Sequence, residues 1–209
     1  SYCFTVSSIV LTAFNLRISC AKIQSTLKPE STDAVMSSSI YQLQNGSRIL
    51  AFSQPRIMGV LNCTPDSFFE GSRAASAKAA VKTGRRMLGA GADVLDVGGQ
   101  SSRPGAVEVG AIEEWQRIEA TIKGLLDAAP EALISVDTFH HEVARKALEA
   151  GAFMVNDIFG GSRDAKMAQV IAKFNAPYAI MHMQGTPANM QERPTYKEIT
   201  TEVVHWLQD

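Results

Sequence analysis

Asn62, Asp96, Asp137, Asn156, Asp157 and His182 each stand at or near the carboxyl end of a short apolar run, and five separate runs are involved. Asp137 emerges from Ile134-Ser135-Val136, and Asn156 follows Phe153-Met154-Val155. An acceptor and an amide on neighbouring strands suit a flat heterocycle that presents donors and acceptors together. Asp137 and Asp157 could instead cap the helices that follow them. Ile158 and Met181 could supply apolar faces for a ring, or belong to the core. A second feature, Gly98-Gly99-Gln100-Ser101-Ser102-Arg103-Pro104-Gly105, combines glycines, hydroxyls and one guanidinium. It fits an anion site in which Arg103 makes a bidentate contact. It matches neither the P-loop nor the dinucleotide fingerprint, so ATP and NAD are poor candidates. His182 has no second histidine at ligand spacing and reads as a wall residue. His140, His141 and His205 fall on predicted helices and read as surface or capping residues.

The elements that must position these groups are legible as two alternating periods. Arg56–Leu61 is a buried strand ending at Asn62, and Pro65 keeps Thr64 extended. Helical stripes follow: Ala77, Ala80, Val81, Gly84, Met87 and Leu88, then Ile112, Trp115, Ile122, Leu125 and Leu126. Val143, Ala144, Ala147 and Leu148 make a third, and Met167, Val170, Ile171 and Phe174 a fourth. Between them lie strands around 93–97 (closed by a Gly98-Gly99 turn), 132–136, 153–156 and 178–182. The phrase Ala90-Gly91-Ala92 returns as Ala150-Gly151-Ala152. Such βα repeats imply a parallel sheet covered by helices. A doubly wound sheet would gather its site at one switch point, whereas polar residues from many strand ends imply the mouth of a (β/α) barrel. The expectation is an α/β fold, a TIM barrel truncated after about its fifth strand, with two unpaired edges.

The 209 residues are 45% hydrophobic with a formal net charge of -1, enough for one domain and no argument for nucleic acid or an anionic membrane as partner. Cys3, Cys20 and Cys63 form no metal or disulfide pattern. Cys63 reads as a small filler beside Asn62. Residues 1–29 hold no acidic side chain, and residues 1–35 read as a leader or upstream segment. A cytoplasmic location is expected, or mitochondrion or plastid if that segment is a transit peptide. Residues 36–209 are expected to form the amino-terminal part of the barrel.

The motifs Asn62-Cys63-Thr64-Pro65-Asp66-Ser67-Phe68, Gly98–Ala106, Val136-Asp137-Thr138, Asn156-Asp157-Ile158 and Met181-His182-Met183-Gln184-Gly185 resemble, in order and context, the dihydropteroate synthase family. The resemblance runs from about Arg56 to the last residue. It implies a (β/α)8 barrel that joins 6-hydroxymethyl-7,8-dihydropterin pyrophosphate to p-aminobenzoate in folate biosynthesis. It further implies that Asn62 helps hold Mg2+ with the pyrophosphate. Asp137 and Asn156 would bond the pterin, and Ile158 and Met181 would line its pocket. Ser102 and Arg103 would meet the loop from Thr64 to Phe68, with Phe68 and Pro104 bordering p-aminobenzoate. A homodimer is expected when full length.

Gln100 and Ser102 stand where that family usually has Glu and Thr. The family's later motifs (Asp-Pro-Gly, a lysine-bearing loop and Arg-x-His) do not occur in the chain. The 209-residue chain alone is therefore expected to be poorly active and prone to aggregate. Two other readings stay open: a pterin-binding methyltransferase domain, and a binding or regulatory paralogue.

Overall fold

Alternating apolar runs and helical stripes become alternating strands and helices in a computed structural model that describes residues 41–64, 73–100, 107–186, 189–190 and 192–208. The leader expected over residues 1–35 lies outside the described residues. In chain order the elements are β1 (Gln42–Asn45), β2 (Arg48–Ala51), β3 (Met58–Asn62), α1 (Arg73–Gly89), β4 (Val94–Gly98) and α2 (Ala111–Ala128). There follow β5 (Leu133–Asp137), α3 (His141–Glu149), β6 (Met154–Asp157), α4 (Met167–Phe174), β7 (Tyr178–Ile180) and α5 (Ile199–Gln208).

Strands β3 to β7 pair in sequence order, and every pair is parallel. A doubly wound sheet reverses its order at a switch point; no reversal occurs here. Helices α1 to α4 pack each on the next, so they form one layer. Leu61, Leu95, Val97, Ile134, Val136 and Val155 belong with Ile118, Ile122, Leu125, Val143 and Ile171 of the helices to one core. Each such side chain contributes about 1.5–3 kcal/mol by leaving water. The opposite face of the sheet is left for other work. Its two outer strands, β3 and β7, leave the sheet open among the described residues, and Met58 and Val60 on β3 are 42% and 54% exposed.

The repeated Ala-Gly-Ala phrase has a conformational cause. Gly91 and Gly151 follow α1 and α3 with φ of 99° and 104°, a region that side chains resist. Within α1, Gly84 lets α2 come close: a Cβ there would sit 2.6 Å from Leu125 Cδ2. The phase of α2 departs from the expected stripe. Ile112 is 69% exposed, whereas Glu114 is fully buried with Ile118, Thr121, Ile122 and Leu125. The carboxylate is drawn inward by hydrogen-bond partners that lie far away in the sequence.

The β1–β2 hairpin was not foreseen from the pattern. Its strands are polar at half their positions, and only Leu43 and Leu50 are buried. They pack on Val94, Phe153 and Met154, at the amino ends of β4 and β6. Asn45 Nδ2 donates to Phe153 O at 2.8 Å, and Arg48 donates to Gly151 O at 2.8 Å and Ala152 O at 3.3 Å. The hairpin thus covers the end of the sheet remote from the polar strand ends. No described helix is long and apolar enough to cross a membrane.

Candidate active site

Register decides what these strand ends can share. Asn62 pairs with Gly98, Gly98 with Asp137, and Asp137 with Asn156, so the four form one row across β3–β6. Side chains alternate along a strand. The row therefore projects away from the helix-facing residues Leu61, Val97, Val136 and Val155. Three of the predicted site residues, Asn62, Asp137 and Asn156, are brought to one rim on one face.

Gly98 is the last residue of β4 rather than part of a turn, and neither it nor Gly99 has a positive φ. Its role is space. A Cβ on Gly98 would lie 3.2 Å from Asp137 Oδ2 and 3.3 Å from Asp137 Cβ. The bare backbone leaves an opening between Asn62 and Asp137 that a planar ring could enter.

Asp96 stands one step below this row, inside β4 rather than at its end, and is buried. Its Oδ2 accepts from Asn156 Nδ2 at 3.1 Å. That bond fixes the Asn156 amide so that its oxygen is left to face outward. Asp96 Oδ1 and Ser135 Oγ, both buried, have no hydrogen-bond partner of good geometry among the described residues. Burial pushes the Asp96 carboxyl above the usual carboxylate range, opposed by Ser135 and Asn156. Burial also lifts Asp137, to about 8, reinforced by the charges of Asp96, Glu114 and Asp157. The rim thus holds closely spaced carboxyls that resist ionising together, a state that ligand N–H donors would relieve.

Asp157 points to the other face and serves structure. It accepts from the backbone N–H of Phe159 at 2.8 Å and of Gly161 at 2.9 Å, and from Tyr178 Oη at 2.7 Å. Neither Asp157 nor Asp137 caps a helix: Asp157 closes the turn that follows β6, and α4 starts only at Met167 with Lys166 at its N-cap. Ile158 and Met181, which follow β6 and β7, are half-buried, and Thr64 is buried beside the rim strand β3. His182 packs edge-on against Trp206 at 5.2 Å between ring centres, and against Tyr196 at 5.8 Å. His205 is exposed, as expected. His140 occupies the N-cap position of α3, but its side chain makes no capping bond: its Nδ1 lies 2.6 Å from Oε2 of the buried Glu114. Cys63 is half-buried, with its thiol pushed up by burial and partly offset by Thr121, which disfavours the thiolate. Phe68, Ser102, Arg103 and Pro104 lie outside the described residues.

Asn62 is exposed and offers one neutral amide oxygen. No three His, Cys, Asp or Glu side chains gather as a cation site among the described residues. The donor set fits Mg2+ only where phosphate oxygens and water complete an octahedron, a habit of that ion.

Two participants escaped the sequence reading. Asp96 was noticed, but as a strand end rather than as the support of Asn156; the two-residue offset from Gly98 was the available signal. Glu114 was not noticed, although it falls in phase with Ile118, Ile122 and Leu125 on α2.

The geometry has close counterparts. A family model described as "Pterin binding enzyme" matches residues 58–209. Dihydropteroate synthase of Escherichia coli (strain K12) is 43% identical over 154 residues, covering 74% of this chain and 54% of that protein. The mitochondrial folate synthesis bifunctional protein of Pisum sativum is 44% identical over 144 residues, covering 68% of this chain and 28% of that protein. The chain thus spans about half the length of the bacterial relative and less of the plant one. Among solved structures, Xanthomonas albilineans dihydropteroate synthase with 4-aminobenzoic acid superposes with a TM-score of 0.69 at 39% identity, covering 80% of this chain and 58% of that one. The same bacterium's enzyme in complex with 7,8-dihydropteroate gives 0.66 at 35% identity, with 80% and 58% covered. With the rim row in place and the match running from β3 onward, the chain belongs to the pterin binding enzyme family.

Proposed function

We propose that this protein is a dihydropteroate synthase, which joins 6-hydroxymethyl-7,8-dihydropterin pyrophosphate to p-aminobenzoate and releases pyrophosphate. In this reading the five parallel strands are one arc of a (β/α)8 barrel. The observation that carries the proposal is the row Asn62–Gly98–Asp137–Asn156 on one rim. The synthases among its relatives, one of them solved with 4-aminobenzoic acid and with 7,8-dihydropteroate, favour this reading over a methyltransferase or a silent paralogue.

A pterin presents adjacent N–H donors and ring acceptors. Asp137, once ionised, accepts from the donors, and the Asn156 amide, oriented by Asp96, adds a second polar contact. Ile158 and Met181 flank the ring. The arylamine nitrogen then forms a bond to the methylene carbon while the carbon–oxygen bond to the diphosphate breaks. The electron pair leaves with pyrophosphate, and the amine proton passes to water. A neutral arylamine needs no strong base, so the carboxylates act in binding and orientation. Arg103, with Ser102 and Thr64, is assigned to the diphosphate, and Phe68 and Pro104 to the arylamine. Asn62 would hold Mg2+ there, and that ion, when bound, neutralises the leaving group. A homodimer is proposed for the complete protein. A mitochondrial location is proposed, like that of the mitochondrial bifunctional protein of Pisum sativum.

The test is direct. Incubating the intact protein with both substrates should yield pyrophosphate and dihydropteroate in equal amounts. Arg103→Ala should cut kcat/KM by about 100-fold, the scale of losing one preorganised charge-stabilising group. Methyl transfer without pyrophosphate release, or no turnover of this pair, would refute the assignment.

A further inference from the structure

Beneath the rim row a second row lies on the same face, two residues back along each strand. In it Val60 pairs with Asp96, Asp96 with Ser135, and Ser135 with Met154. Deeper still, Val94 and Leu133 pack with the hairpin leucines. Barrel interiors are filled at such depths by bulky branched side chains. Asp96 and Ser135 break that rule at the middle of the second row, and both are buried. They reach a ligand at the rim only through a neighbour. Asp96 Oδ2 supplies the link by accepting from Asn156 Nδ2 at 3.1 Å. Asp96 Oδ1 and Ser135 Oγ, on directly paired residues, are the polar atoms left over.

We propose that Asp96 and Ser135 are positioning residues that let Asn156 present only its carbonyl oxygen to the pterin, so that this corner of the site selects a ring edge carrying an N–H donor. The proposal rests on the synthase reading and deepens it by assigning specificity to two groups that touch no substrate. Turning the Asn156 amide over would set its oxygen against Asp96 Oδ2, acceptor against acceptor. Ser135 keeps that barrier in place whatever the charge of Asp96. Its hydroxyl donates to Oδ1 of the carboxylate or accepts from the neutral acid, and Oδ2 stays an acceptor in both states. An apolar side chain at position 96 would suit the layer but would leave the amide free to rotate.

Calorimetry of the intact protein with dihydropterin analogues, each with one ring-edge donor replaced by an acceptor, tests this. Wild type should bind the analogue altered at the Asn156 contact at least about tenfold more weakly than the parent ring, the cost of a buried mismatch. In Asp96→Leu that ratio should fall to within about threefold, while a donor read by Asp137 stays discriminated. Removing the Asp96 charge also relieves Asp137, so the ratio between analogues is the readout and not the absolute affinity. Ser135→Ala should lower the same ratio by about threefold. The exchanged pair Asp96→Asn/Asn156→Asp, whose amide donates from position 96 and whose carboxylate faces the ligand, should restore it. Unchanged ratios in Asp96→Leu and Ser135→Ala, a loss spread evenly over all analogues, or an exchanged pair that does not discriminate would each overturn the proposal. Hydrogen exchange of the Asn156 side-chain amide, followed by NMR without ligand, should be at least about tenfold faster in Asp96→Leu. That acceleration in a protein whose wild type binds no pterin would sink the synthase reading and uphold the fixed amide; equal exchange in the two proteins would refute the fixed amide.

Discussion

Asp137 supplies the sharpest prediction, because its environment and its proposed task conflict. Burial first, then Asp96, Glu114 and Asp157, push its carboxyl up to about 8. A pterin that donates to it requires the ionised form. At pH 7, one unit below that value, binding must expel a proton, which costs about 1.4 kcal/mol, or tenfold in Kd; at pH 6 the penalty is about hundredfold. Affinity should therefore rise about tenfold per pH unit from 6 to 8 and level off above. Calorimetry in buffers of differing ionisation enthalpy should count close to one proton released per pterin near pH 6.5, and none well above pH 9. The same shift fixes the sign of a stability effect. The raised pKa means that the folded protein keeps a proton which the unfolded chain surrenders from about pH 4 upward, so stability falls as pH rises from 4 to 8 and is flat beyond. Asp137→Asn removes that penalty. It should stabilise the ligand-free protein at pH 7 by the order of 2–4 kcal/mol, and the two proteins should converge near pH 4. Pterin affinity should collapse in the same variant. Pterin affinity independent of pH between 6 and 9, proton uptake on binding, or an Asn variant less stable than wild type at pH 7 would each refute the reasoning.

Other perturbations read separate parts of the structure. Gly98→Ala sets a methyl 3.2 Å from Asp137 Oδ2 and should weaken pterin binding about tenfold while the melting temperature shifts little, a split visible by calorimetry and thermal unfolding. Gly84→Ala gains helix propensity but drives a Cβ to 2.6 Å from Leu125 Cδ2, and should cost about 1–3 kcal/mol in urea unfolding. Arg48→Ala deletes two bonds to the carbonyls of Gly151 and Ala152 and the stacking on Phe153. It should cost about 1–2 kcal/mol, with faster amide exchange confined to β1 and β2.

Much of this molecule is legible in its sequence, for a local reason. Strand and helix periodicities, the left-handed stops at Gly91 and Gly151, and the polar residues closing each apolar run all depend on neighbours a few positions away. Those signals were enough to mark Asn62, Asp137 and Asn156, whereas the helix cap left open for Asp157 proves to be a closure of the turn after β6. The hairpin was missed because its two inward leucines are too few to show a period, although Gly46-Ser47 is a hairpin signal between them.

What the tertiary structure alone decided is alignment between distant segments. Parallel register set Asn62, Gly98, Asp137 and Asn156 in one row; a slip of one residue would have turned a strand's contribution toward the helices. Packing across β4 and β6 put Asp96 under Asn156, while burial pushed the Asp96 and Asp137 carboxyls above their usual range. It also drew Glu114 into an apolar helix face, where Gln100 and His140 awaited it. Sequence periodicity records which side of an element is buried. Which buried groups meet, and what that does to their charge, depends on partners that folding brings from far along the chain.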